Sequence, residues 1–330
     1  MGMNNRGIAL FLVLWVLALL TVIVGEFCHA MRTEVNITRN FKEETEARYF
    51  ALAGINRAVL ELVRNDRIAP KSADAEAEEG VETAPRWRVN AELPPVPYGT
   101  GQFTVALGNE IGKINLNLAD ASLLKILLNG FDLPEEDIAV IVDSIQDWRD
   151  EDNAHRLNGA EDDYYRSLPE PYECRDGDFE SVEELLLVRG VTREIFFGGL
   201  RDRVTVFRDD DKKSQLKKIR KKQAAQSINV NAAPPEVLLA LPQMTEELVS
   251  KIMEYRKAKD FSTSSELAEI LGPEVYAAVA PYLTFAWSSF YTIRSTGQAG
   301  DGKAQSAVEA TVQLDRRSKT GYRILSWKEE

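Results

Sequence analysis

From Ile8 to Val24 the chain runs seventeen residues without a charge. As a helix that run reaches roughly 25 Å, close to the thickness of a bilayer core. Whatever else the chain folds into, this first segment must be kept from water, in lipid or against other apolar helices. A cleavable secretory signal would want a basic leader, a shorter apolar core and a small-residue site behind it. Met1 to Gly7 holds one cation, Arg6, and only Cys28, His29 and Ala30 offer a weak site after the run. Charge does not fix orientation, because Arg6 on one side is balanced by Arg32 on the other.

Helical patterning continues past the apolar run. Leu52, Ile55, Val59, Leu62 and Val63 recur at helical spacing, and no Gly-Pro breaker intervenes before Pro70. The intervening residues, such as Lys42-Glu43-Glu44-Thr45-Glu46-Ala47-Arg48, are good helix formers of mixed charge rather than a linker. One helix from about Ile8 to about Arg64, roughly 85 Å long, is expected, its first part in lipid and its second laid on a water-soluble head. The acidic, small-residue stretch of residues 66–85 reads as a mobile loop.

Two strands are expected next, Trp87 to Leu93 and Gln102 to Leu107. The remaining strand signal lies far downstream, at Phe290 to Ser295, Gln305 to Leu314 and Tyr322 to Trp327. The glycines between Gly297 and Gly302 are expected in a hairpin turn, since no strand-loop-helix context with a Lys-Ser/Thr ending makes them a phosphate loop.

Between the two β portions the sequence repeats itself. Ile114-Asn115-Leu116-Asn117-Leu118-Ala119 with Leu123 to Leu127 returns as Ile228-Asn229-Val230-Asn231-Ala232-Ala233 with Val237 to Leu241. Ile145 to Arg149 then parallels Ile252 to Arg256, and Phe179-Glu180-Ser181 parallels Phe261-Ser262-Thr263. Each copy reads as a small helical hairpin whose helix is started by the Asn residues or, in the second, by Pro234-Pro235. Such units resemble helix-hairpin-helix modules that bind DNA backbones, with Asn129-Gly130-Phe131 and Arg189-Gly190-Val191 as candidate turns and a basic run from Lys212 to Lys222 between the copies. A membrane-anchored DNA-binding protein is therefore the competing reading. The balance of 40 Lys+Arg against 52 Asp+Glu, a net −12, opposes it, as does the absence of interleaved aromatic residues in the basic run.

The first copy carries an acidic insertion. From Asp147 to Asp178 eleven Asp/Glu face four Arg, a local −7. Crowded carboxylates repel unless a cation bridges them. Asp150, Asp152 and Glu161 stand at positions one, three and twelve of a calcium-loop template, and Asn158-Gly159-Ala160 supplies a turn. Ala154 and His155 break the EF-hand pattern at positions five and six. Calcium is expected, held by Asp147, Asp150, Asp152, Glu161 and Asp162, against the alternative of a solvated loop neutralised by Arg149, Arg156 and Arg166. Zinc is disfavoured for want of a second usable histidine. Two cysteines, Cys28 and Cys174, give no disulfide framework. No Gly-x-Ser-x-Gly, His-Glu-x-x-His or Gly-Lys-Ser/Thr pattern occurs, so an enzyme is not expected.

Arg6-Gly7 ahead of Ile8 to Leu20, then Ile114 to Asn117, Asp147-Trp148-Arg149-Asp150 with Asn158 to Asp162, and Ile228 to Asn231, together resemble the general secretion pathway protein K family, large minor pseudopilins of the type II secretion system. The resemblance spans almost the whole chain. It implies cleavage by prepilin peptidase after Gly7, methylation of the new N-terminal Ile8, a single pass through the bacterial inner membrane and a head in the periplasm. Its fold class is α+β: a type IV pilin-like long helix on a small antiparallel sheet, interrupted by a large all-α domain.

The expected layout is a leader over 1–7, a spine over 8–64, the first part of the head over 65–110, the inserted domain over 111–285 with repeats at 111–205 and 225–285, and a closing meander over 286–330. Most pseudopilins have Glu at the fifth mature position, occupied here by Leu12. That departure and the bulk of the insertion favour a place at the pseudopilus tip, where the chain would help to initiate assembly. The expected partners are other minor pseudopilins, met through Leu12, Leu52, Ile55 and Val59, together with prepilin peptidase and the inner-membrane assembly platform.

Overall fold

The computed structural model describes residues 5–68, 87–91, 93–208, 227–300 and 302–329, with side chains from Leu10 onward. The acidic stretch expected as a loop falls mostly outside these residues, and the basic run from Lys212 falls wholly outside them.

Helix α1 spans Asn5–Ile68 without a break, about 96 Å at 1.5 Å per residue. Among the described residues it is the one helix long and apolar enough to cross a membrane, with a mean hydropathy of 2.6 over its most apolar window and no burial there. Its far end is amphipathic. Ala47, Phe50, Ala51, Ile55, Ala58, Val59 and Leu62 are buried against Phe103, Val105, Leu107, Ile293, Val308, Ala310 and Val312 of the sheet. Each large side chain so buried contributes about 1.5–3 kcal/mol.

The sheet consists of β1 (Val96–Tyr98), β2 (Gly101–Asn109), β7 (Phe290–Ala299), β8 (Ala304–Leu314) and β9 (Tyr322–Glu329), antiparallel throughout in the order β1-β2-β7-β8-β9. The central pair β2–β7 thus joins strands that lie on either side of the insertion, with Leu107 opposite Ile293.

Two expectations about this sheet need correction. The stretch at Trp87 is not a strand: Asn90 is left-handed at φ 57°, and its backbone N–H donates to Leu107 O at 2.8 Å while its Nδ2 donates to Asn231 O and Ala232 O. It is a clasp between head and insertion. Gly297 lies inside β7 rather than in the turn. A methyl there would run into the Ala47 carbonyl and the Ala51 nitrogen, so the glycine sets how closely α1 approaches the sheet.

The insertion leaves the sheet at Asn109 and re-enters at Phe290. Each copy opens on a two-residue strand in a parallel pair: β3 (Ile114–Asn115) pairs with β4 (Val204–Thr205), and β5 (Ile228–Asn229) with β6 (Leu283–Thr284). Copy one continues through α2 (Ala121–Leu128) and α3 (Glu135–Arg149). Copy two has helices at Pro235–Ala240, Glu246–Ala258, Ser264–Leu271 and Pro273–Val279.

The asparagines do not start the helices. Asp120 caps α2 by accepting from Leu123 N, while Asn115 and Asn229 donate to the carbonyls of Phe207 and Ala286 across each short sheet. The second helix of each copy sends an arginine back to the repeat motif. Arg149 donates to Leu116 O and Ala119 O, and Arg256 donates to Ala233 O. Leu116, Leu124, Ile141, Ile145, Val230, Val237, Leu238 and Ile252 share one core, separate from that under α1.

Candidate metal centre

α3 ends at Arg149, and the acidic insertion folds back over its last turn. Asp147, on that turn, is fully buried, and donors from the insertion surround it. Arg156 gives it a backbone N–H at 3.1 Å and its guanidinium Nη1, and Nη1 also reaches Asp150 Oδ2 at 2.6 Å. Gly159 is required beside it, because a Cβ there would collide with the Asp147 carboxylate. On the neighbouring turn Asp143 Oδ2 accepts from the N and Nδ2 of Asn158, both at 3.1 Å. The loop is closed by Arg189, which donates to Gly159 O at 3.0 Å and lies over the Tyr164 ring.

Glu161 follows directly, buried to 1% exposure, and no N–H or O–H reaches either of its carboxylate oxygens. Oδ1 of Asp150 and Oδ1 of Asp176 are likewise buried without a partner. Burial, opposed by the neighbouring Cys174 thiol and reinforced by Asp147, Asp150 and Asp176, pushes the Glu161 carboxyl up to about 7. One ligand atom each from Asp150, Asp152 and Glu161 lies within 4.8 Å of the others, as it does for Glu161, Cys174 and Asp176. A buried carboxylate without a donor costs stability unless a cation or proton compensates it. The donor set therefore fits a hard divalent ion.

Of the five residues expected to hold metal, the structure brings together Asp150, Asp152 and Glu161 and gives the other two different work. Asp147 is consumed by Arg156. Asp162 accepts from Cys174 N at 2.8 Å and pairs with Arg166 at 2.9 Å, fixing the return of the loop. Arg149, read as a possible neutraliser, spends its donors on carbonyls of the repeat. Asp176, which lies beyond the twelve-residue template, also comes to Glu161: the Cys174 N–H to Asp162 and the stacking of Tyr172 on Tyr165, itself edge-on to Trp148, carry the chain back to it.

The other singled-out positions are placed as follows. Gly7 and Ile8 lie in the first turns of α1, and Leu12 is exposed on it. Ile55 and Val59 are not free for a partner, being 2% and 4% exposed against the chain's own sheet, and Leu52 is half-buried beside them. Helical spacing identifies an apolar face but not what covers it. In the candidate DNA-binding turns Asn129, Gly130 and Gly190 are exposed; a methyl at Gly190 would meet Ile141 and Val140 of α3, and one at Gly130 would meet Arg203 and Ala240.

A long helix on an antiparallel sheet, split between its central strands by a helical insertion, is a pilin-like fold with an inserted domain. Residues 109–209 match the family model described as type II secretion system (T2SS), protein K. The chain is 27% identical over 214 residues to the type II secretion system protein K of Pectobacterium carotovorum subsp. carotovorum, covering 59% of this chain and 61% of that one. It is 24% identical over 212 residues to that of Aeromonas hydrophila, covering 58% and 61%. It thus spans about three fifths of the length of the curated relatives it matches. A chain from the crystal structure of the GspK-GspI-GspJ complex of enterotoxigenic Escherichia coli superposes with a TM-score of 0.59 at 17% identity, over 89% of this chain and 99% of that one. Residues 109–209 thus resemble the type II secretion system protein K domain, and the chain is similar to proteins of that name, in line with the resemblance of its motifs.

Proposed function

We propose that this chain is a non-enzymatic minor pseudopilin that caps the tip of a periplasmic type II secretion pseudopilus and helps to start its assembly. The observation that carries this is where the insertion sits. Ala47 and Ala51 of α1 lie at Gly297, Gly54 lies at Ser295, and the insertion departs from Asn109 and Phe290. Moving along α1 away from the apolar run therefore leads toward the insertion, which covers the membrane-distal end of the sheet. A subunit stacked above would meet that domain instead of a free head. Leu12 adds to this, having no carboxylate to pair with the terminal amine of a subunit ahead. The apolar run would root the chain in the inner membrane, with Gly7 as the prepilin-peptidase site and Ile8 the methylated first residue.

The fold relative comes from a GspK-GspI-GspJ complex, and smaller minor pseudopilins are the partners inferred for this chain. With Ile55 and Val59 occupied, the opposite flank of α1, where Tyr49 and Leu60 are 61% and 65% exposed, remains for them. Calcium is inferred at Asp150, Asp152 and Glu161. When bound it would supply the positive charge the insertion lacks; the residues' own part is to bring the end of α3 and the loop behind it to one point. Mass spectrometry of the N-terminus from membranes tests the reading. Methylated Ile8 supports it, and a chain starting after Ala30 contradicts it.

A further inference from the structure

We propose that Glu161, Cys174 and Asp176 form a thiol-containing donor set that takes a thiophilic divalent cation, zinc or cadmium, in competition with calcium. The proposal rests on the calcium reading only in that Glu161 belongs to both sets.

The two sets differ in chemistry. Asp150, Asp152 and Glu161 offer oxygen alone, whereas the second set exchanges two carboxylates for Asp176 and a sulfur, with its ligand atoms again within 4.8 Å of one another. Glu161 is 1% exposed, its two oxygens lack N–H or O–H donors, and both sets converge on it. It can complete one set or the other. Cys174 is a buried thiol outside any disulfide; its Sγ lies 3.9 Å from Asp147 O and faces the Glu161 carboxylate and the Asp176 backbone. Two residues on, Asp176 sits in the left-handed region at φ 51°, and its Oδ1 is buried without a partner. The bend at Asp176 sets a thiol and a carboxylate side by side facing Glu161, where an extended backbone would send alternate residues to one side without closing them on a point.

Replacing oxygen by thiolate shifts preference from calcium toward zinc and its softer relatives, and three protein donors plus water complete a tetrahedral site. On binding, the Cys174 S–H bond breaks, a metal–sulfur bond forms and the proton leaves to water; no electrons change hands. The sequence disfavoured zinc on its histidine count, and the fold supplies a cysteine in place of the missing histidine.

The test uses the full chain in detergent with Cys28→Ser, so that Cys174 is the sole thiol. Titration with cadmium alone is expected to produce thiolate-to-cadmium charge-transfer absorption that saturates at a single ion per chain. Cys174→Ala should abolish the absorption, and Asp176→Asn should weaken cadmium binding by about tenfold or more. Cys174→Ser and Cys174→Ala are both followed by circular dichroism, so that lost folding is not mistaken for a lost ligand. Calcium binding, read separately by calorimetry, should persist in folded Cys174→Ala. Absence of the absorption, or its survival in Cys174→Ala, overturns the proposal whether or not calcium binds. Absorption without calcium binding overturns the calcium reading and leaves this one standing.

Discussion

Asn231 and Phe261 hold each other through two hydrogen bonds. Asn231 Nδ2 donates to Phe261 O at 2.9 Å, and Phe261 N–H donates to Asn231 Oδ1 at 2.7 Å. Asn117 and Phe179 do the same in the first copy, at 3.0 and 2.7 Å. An asparagine carboxamide offers a donor and an acceptor with peptide geometry on a short side chain, which suits this pairing in both copies. Asn231→Ala strands a buried N–H and C=O, at about 1–3 kcal/mol each. Thermal unfolding should therefore show Asn231→Ala clearly destabilised, and more so than Asn117→Ala, because Asn117 is less buried. Equal stability of Asn231→Ala and the parent would contradict the pairing.

Docking of α1 depends on small residues. A methyl at Gly297 meets backbone of α1, and one at Gly54 meets Ser295 Oγ and, at 2.9 Å, Phe103 Cδ2. Overpacking of this kind costs about 1–3 kcal/mol. Gly297→Ala should make α1 susceptible to proteolysis, whereas Gly108→Ala, whose added methyl would meet only ordinary contacts at 3.7 Å or more, should leave it protected. Ile55→Asp should unfold the head, seen as lost ellipticity rather than lost partner binding alone.

Glu110 leads to a pH prediction. It is 4% exposed where β2 passes into the insertion, and it accepts from Lys113 Nζ at 2.9 Å and from the Thr292 hydroxyl. Burial alone would raise its pKa, but the Lys113 charge and the hydroxyls of Thr205 and Thr292 outweigh it and hold the carboxyl below its usual range. A carboxylate depressed in the folded state stabilises above its unfolded pKa, and the contribution is lost as pH falls through the folded value. Glu110→Gln should thus be less stable than the parent at neutral pH, with the gap closing below about pH 4. A gap that widens in acid would reverse the assignment.

At the metal centre, calorimetry on the full chain should show calcium binding abolished by Glu161→Gln and weakened by Asp152→Asn. Asp147→Asn should instead act on stability, by removing the charge that anchors Arg156. Undiminished calcium binding in Glu161→Gln would remove that residue from the site.

The spine, the repeat and the acidic insertion were legible because each is a local pattern: an uncharged run, a returned motif, a charge density. The partners of those residues were not. Ile55 announces an apolar face, but only the pairing of β2 with strands more than two hundred residues downstream of Ile55 shows that its own sheet covers it. Asp147 and Glu161 are both acids in one insertion, and what separates them is that Arg156 curls back onto the first and not the second. Asp176 reaches the centre through the packing of Trp148, Tyr165 and Tyr172, which no spacing template encodes.

Capping of the tip is tested most directly by locating this chain on isolated pseudopili with a gold-labelled antibody to the inserted domain. A cap places the label at one end of each filament. Label repeating along the filament length would contradict it.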